Sequence, residues 1–210
     1  MHIVLLGDSI FDNQRYTEGG PDVITQVKQF LPVGWKASLL AVDGSTTHDV
    51  LAQVRRLPSD ASHLVLSAGG NDALMEADVL RTVVKWSAEV IDRLAEIAQR
   101  FDADYRRVLG ACQEFGLPLS ICTIYNGCFP DKEYQRRIST ALTIFNDVIL
   151  RAGIDLGLSV VDLRLVCNSD RDYANPIEPN STGGAKIAHT LVNLVTGSIA
   201  GDAGIRVFVR

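Results

Sequence analysis

The sequence predicts an α/β fold of three layers, a parallel five-stranded sheet between two layers of helices. Two observations carry this. Five short apolar runs, rich in branched side chains, alternate with stretches of helical periodicity, the pattern of a parallel sheet covered on both faces. Three of those runs end in turns that carry polar groups, at the sheet edge where open α/β folds place their ligands. The chain has 210 residues, 47% hydrophobic and 21% charged. That suits one domain over residues 1–210, with a core that needs no staples.

The first strand is residues 2–6, His-Ile-Val-Leu-Leu, stopping at Gly7. A polar loop follows, and Pro21 opens a helix over 22–30, as proline at a first helical position does. Residues 35–42 form the second strand, ending in the turn Asp43-Gly44. Ser45-Thr46-Thr47 offers N-caps to a helix over 49–56. The third strand, 63–68, runs into Gly69-Gly70-Asn71-Asp72. A helical block over 77–115 carries Trp86, Val90, Ile91, Leu94, Ile97 and Ala98 at helical spacing, with a break expected near 101–103. Strand four is 119–124, with Cys122 buried in it. A helix over 133–152 closes at Gly153 and Gly157, and strand five is 158–163. A polar loop over 170–180 leads to a last helix over 182–195, and 205–209 reads as a short terminal strand.

Gly7-Asp8-Ser9, Asp43-Gly44-Ser45 and Gly69-Gly70-Asn71-Asp72 all follow strand carboxyl ends, so a parallel sheet brings them to one edge. A serine there can act as a nucleophile if donors stabilise the oxyanion that its attack creates. The N–H groups of Ser9 and Gly44 and the amide of Asn71 are the candidates. Asp8 is expected to brace the turn by accepting backbone N–H groups. Asp72 is expected to cap the helix that follows it.

On these three blocks the chain resembles the SGNH hydrolases, the GDSL-type esterases and lipases. Gly7-Asp8-Ser9-Ile10 is similar to the family's first block, Gly44 to its second-block glycine, and Gly70-Asn71-Asp72 to its third. The resemblance implies a flavodoxin-like sheet of strand order 2-1-3-4-5. It also implies Ser9 as nucleophile and Gly44 and Asn71 in the oxyanion hole. The family carries an Asp and a His three residues apart before its last helix. Here those positions hold Asn175 and Glu178. An ordinary glutamate, at a pKa of about 4.3, is a poor base. Burial would raise it and improve it. Glu178 is then the expected base and Asn175 its orienting partner.

His48, four residues after Gly44, is a possible alternative base, or simply a polar residue on a helix's first turn. His2, His63 and His189 fall at the wrong end of the sheet or inside the last helix. Trp35 and Trp86 are expected to pack in the core or a groove, and Lys186 to be a helix-surface charge.

The expected function is an ester hydrolase acting on a small soluble ester. The alternative is a binding protein on a scaffold that has lost catalysis. A net charge of −5 argues against nucleic acid as partner. No apolar stretch is long enough to cross a bilayer, and the first strand lacks the basic flank of a signal peptide. The four cysteines show neither metal-ligand spacing nor a disulfide framework. No metal or cofactor is implied, and the expected location is cytoplasmic. The oligomeric state is left open.

Overall fold

The computed structural model describes residues 1–197; the terminal strand expected over 205–209 lies outside them. The elements follow in the order β1 (His2–Gly7), α1 (Val23–Phe30), β2 (Lys36–Leu39), α2 (Thr47–Val54), β3 (His63–Ser67), α3 (Gly70–Met75), α4 (Ser87–Gln113), β4 (Leu119–Cys122), α5 (Lys132–Asp155), β5 (Ser159–Val161), α6 (Leu163–Val166) and α7 (Ser181–Thr196). The strands form one parallel sheet of order β2-β1-β3-β4-β5. The fold is therefore the expected α/β sandwich.

β1 shows why the sheet is buried on both faces. Successive strand side chains point to opposite sides. Val4 and Leu6 join a core with α2, α4 and α5, while Ile3 and Leu5 join a second core with α1 and α7. All four are essentially inaccessible. At about 1.5–3 kcal/mol for each large apolar side chain fully buried, these two cores dominate the gain on folding.

Several expected boundaries are corrected. Pro21 sits one residue before the cap of α1. Asp22 is the N-cap and accepts the Thr25 N–H at 2.9 Å. β2 is confined to four residues. The long helical block is broken at 82–86 rather than 101–103. A 3-10 turn, Ala77–Arg81, precedes that break, and α4 runs unbroken through Phe101. Phe101 is buried against Phe145, while Asp102 pairs with Arg106 one turn on, so both suit a continuous amphipathic helix. Gly153 lies inside α5, where its missing side chain lets Val160 and Ile121 approach. Trp86 is exposed rather than packed, with Lys85 over its ring. Lys186 is not a free surface charge: it pairs with the buried Asp172 at 2.8 Å.

Candidate active site

The site is built from the carboxyl end of β1. Gly7 ends the strand at φ +131°, and a Cβ there would fall 1.7 Å from the Ser67 carbonyl oxygen on β3. Only glycine allows β1 and β3 to stay paired at this point. The buried Gln53 of α2 clamps the same residue, accepting the Gly7 N–H at 2.8 Å and donating to the Gly7 carbonyl at 2.8 Å. Asp8 then folds back to accept the Ile10 N–H at 3.1 Å, which braces the turn as expected. Ser9 emerges at the top of this turn, 6% exposed.

Glu178 reaches Ser9 from the loop before α7. The Ser9 hydroxyl donates to Glu178 Oε1 at 3.2 Å, and Glu178 is 7% exposed. Asn13, fully buried, holds that loop in place, donating to the Pro179 carbonyl at 3.2 Å and accepting the Val23 N–H at 2.9 Å. Asn175 makes no hydrogen bond to the Glu178 carboxylate. Its Oδ1 accepts the backbone N–H groups of Ile177 at 2.9 Å and Glu178 at 3.0 Å. This is an Asx turn, so Asn175 places Glu178 through the main chain. Glu178 Oε2 is buried and has no hydrogen-bond partner among the described residues.

The electrostatics follow from burial. Desolvation pushes the Glu178 carboxyl from 4.5 up to about 7; the Ser9 hydrogen bond opposes this and the Asp43 charge adds to it. Asp8 is likewise pushed from 3.8 to about 7, chiefly by burial, against the Ile10 N–H and with the help of Glu178, Asp72 and Asp43. Two carboxyl groups thus share one poorly solvated pocket, where the Glu178 charge disfavours that of Asp8.

Asn71 lies in the first turn of α3, a short helix that the Gly69-Gly70 pair obscures in the sequence. One of its amide N–H groups donates to the Ser45 carbonyl at 2.8 Å. The amide has a second donor, and Asn71 lines the same cavity as Ser9 and Glu178. Gly44 turns at φ +83°. Among the described residues, neither the Ser9 nor the Gly44 N–H has a hydrogen-bond partner. Gly44 is not among the residues that line the cavity. Asp72 does not cap α3 as expected; it accepts the N–H and hydroxyl of Thr47 at 2.9 and 3.0 Å, tying α3 to the start of α2.

The structure does not bring His48 to this site: it is exposed and lines neither the main cavity nor its outer mouth. The other histidines are engaged elsewhere, His2 with Asp60 and Ser38, His63 with Ser120, and His189 against Phe30. No group of three or more His, Cys, Asp or Glu among the described residues could hold a metal.

Three contributors escape the sequence reading: Gln53, Asn13 and the cavity wall of α4 and α5. Gln53 had a legible signal, a polar residue between Val50 and Val54 on the buried face of α2. Asn13 had none, because a buried loop asparagine looks like any other.

Tyr16, Phe129, Tyr134 and Asn175 surround the outer mouth. The Tyr16 hydroxyl donates to Asp43 at 3.0 Å. The cavity is lined by Ser9, Asn71 and the Glu178 carboxyl together. A carbonyl seated there would meet a nucleophile, a proton acceptor and N–H groups together.

Comparisons with known proteins bear on the fold and the family. No curated protein matches the sequence. Among solved structures, the extracellular lipase of Streptomyces rimosus aligns with a TM-score of 0.68 at 17% identity, covering 94% of this chain and 99% of that one. The acetyl xylan esterase AlAXEase gives 0.69 at 19% identity, over 93% and 100%. The lipase/acylhydrolase of Enterococcus faecalis gives 0.67 at 17%, over 94% and 96%. At such identities the likeness is one of fold. Residues 5–186 match the family model described as GDSL-like Lipase/Acylhydrolase. With the matched region spanning most of the sequence, the chain belongs to the GDSL-like lipase/acylhydrolase family.

Proposed function

We propose that the protein is a serine esterase, with Ser9 as nucleophile and Glu178 in the place of the general base. The observation that carries this is the 3.2 Å hydrogen bond from Ser9 Oγ to Glu178 Oε1 inside a buried pocket. A base works best with a pKa near the operating pH, and burial supplies that shift to Glu178. In acylation Ser9 Oγ attacks the ester carbonyl carbon and its proton passes to Glu178. The N–H of Ser9 and the second amide donor of Asn71 receive the oxyanion; Gly44, which does not line the cavity, is the third candidate donor. Collapse breaks the bond to the alkoxy oxygen, which leaves with the proton from Glu178. Water then attacks the acyl-Ser9 carbonyl and gives its proton to Glu178; collapse breaks the bond to Ser9 Oγ, which takes that proton back as the acid leaves. Asn175 acts as a positioning residue through the backbone of Glu178. The substrate is a small ester, and the partner set includes no nucleic acid. Four cysteines without disulfides support a reducing, cytoplasmic location.

The unpartnered Oε2 of Glu178 favours a second reading, a protein that binds esters or their products without cleaving them. Among the described residues, no third group orients the carboxylate as a triad would. A fluorophosphonate probe with peptide mass spectrometry separates the two. The esterase reading expects a covalent adduct on Ser9, lost in Ser9→Ala together with hydrolysis of p-nitrophenyl esters. An unmodified Ser9, or hydrolysis that survives Ser9→Ala, overturns it.

A further inference from the structure

The cavity beside Ser9 does not end at the catalytic groups. Its polar end is formed by Asp8, Ser9, Asn71 and Glu178, and its far wall by Ala68, Leu94, Ile97, Ile124, Leu142 and Phe145. Those wall residues come from the strand-end loops after β3 and β4 and from α4 and α5, so the space reaches in between those helices. Most of its wall is aliphatic or aromatic. Three acidic side chains line it, Asp8, Glu76 and Glu178, and among the described lining residues there is no Lys, Arg or His.

We infer that this cavity is the acyl subsite, and that it selects uncharged aliphatic acyl groups of four to six carbons over acetyl, aromatic and anionic ones. The inference rests on the esterase reading above and names its substrate class. Three observations carry it. First, the apolar space is continuous with Ser9, so a chain can enter it while its carbonyl remains at the hydroxyl. An acetyl methyl would leave most of the apolar wall uncovered.

Second, the cavity measures about 80 Å³. A cavity of roughly 150 Å³ takes a benzene. On that scale, about three carbons beyond the carbonyl fill this space. One or two more reach toward the outer pocket that Leu74 and Phe129 also line. An aromatic ring is too large. Third, an acyl group bearing a carboxylate would face three acids and no cation, which disfavours it strongly.

Burying one methylene is worth about 0.8 kcal/mol, which converts to roughly a fourfold gain in affinity per carbon. The test uses alkyl methyl ketones, which carry the carbonyl and chain of the ester but cannot be hydrolysed. Binding of the series from acetone through 2-nonanone, with acetophenone, is measured by calorimetry on the full chain. In parallel, kcat/KM is measured for p-nitrophenyl acetate through octanoate. The expected result is a rise of about fourfold per methylene that levels off near 2-heptanone and hexanoate, with acetophenone weaker than 2-hexanone.

Two variants on α5 locate the effect. Ala141→Phe, which fills the cavity, should flatten the series at two to three carbons. Leu142→Ala, which enlarges it, should move the plateau outward by one or two carbons. A ketone series with no chain dependence in the wild type overturns the inference. So does an unchanged plateau in both variants when circular dichroism shows them folded. Chain-dependent ketone binding without hydrolysis of any ester leaves the acyl subsite standing and overturns the esterase reading alone.

Discussion

Burying Glu178 should leave a pH signature in stability that replacing it removes. In the unfolded chain its carboxyl loses the proton near 4.5, but in the fold it keeps it to about 7. Between those values the folded state binds one proton more than the unfolded state, so stability falls as pH rises. The contribution is fully present below 4.5 and is lost as the pH passes through about 7. At about 1.4 kcal/mol per pH unit, the loss amounts to roughly 3 kcal/mol. Glu178→Gln keeps the carbonyl oxygen that faces Ser9 and cannot ionise. Urea unfolding of both proteins at pH 4.5 and pH 8 measures the effect. The stability of the variant relative to wild type should increase by roughly 3 kcal/mol between the two pH values. Comparing two pH values cancels any constant cost of placing the glutamine amide. Asp8, also raised to about 7 partly by Glu178, titrates with it, so its relief in the variant adds in the same direction. A relative stability that does not change with pH refutes the reasoning.

Two further substitutions test how the turn is held. Gly7→Ala drives a Cβ into the Ser67 carbonyl at a backbone angle that L residues avoid, and should cost more than about 3 kcal/mol. Loss of soluble protein or of the urea midpoint reads this; a wild-type midpoint would mean that β1 and β3 can separate there. Gln53→Leu removes both bonds to Gly7 and orphans its buried N–H. It should cost about 2–3 kcal/mol and lower ester turnover by displacing Ser9, seen as a fall in kcat with KM little changed.

The strands were legible because their cores are locally encoded. The runs at β1, β3 and β4 are apolar on both faces, a pattern that needs no knowledge of the neighbours. The break at 82–86 was not, since Thr82-Val83-Val84 contains no glycine or proline and its exposure is a tertiary fact. The break expected at 101–103 failed for the converse reason: Asp102 looks like a loop residue, yet it pairs with Arg106 on the outer face of α4.

In the site, the three strand-end blocks could be read because each sits at a fixed offset from a strand. The loop of Glu178 could not be read in the same way. Two flanking prolines suggest a solvated turn, whereas Asn13 and the Asx turn of Asn175 draw the carboxyl into the pocket. The cavity beside Ser9 was illegible altogether, because its walls come from separate elements that meet only in the fold.

The central claim is that the Ser9–Glu178 pair cleaves esters, and the pH dependence of kcat/KM tests it most directly. With p-nitrophenyl butyrate, the wild type should rise about tenfold per unit at low pH and level off above about 7, where Glu178 has lost its proton. Glu178→Gln should fall by about 100-fold or more and lose that rise. A variant that turns over at the wild-type rate, or keeps the wild-type profile, contradicts the account.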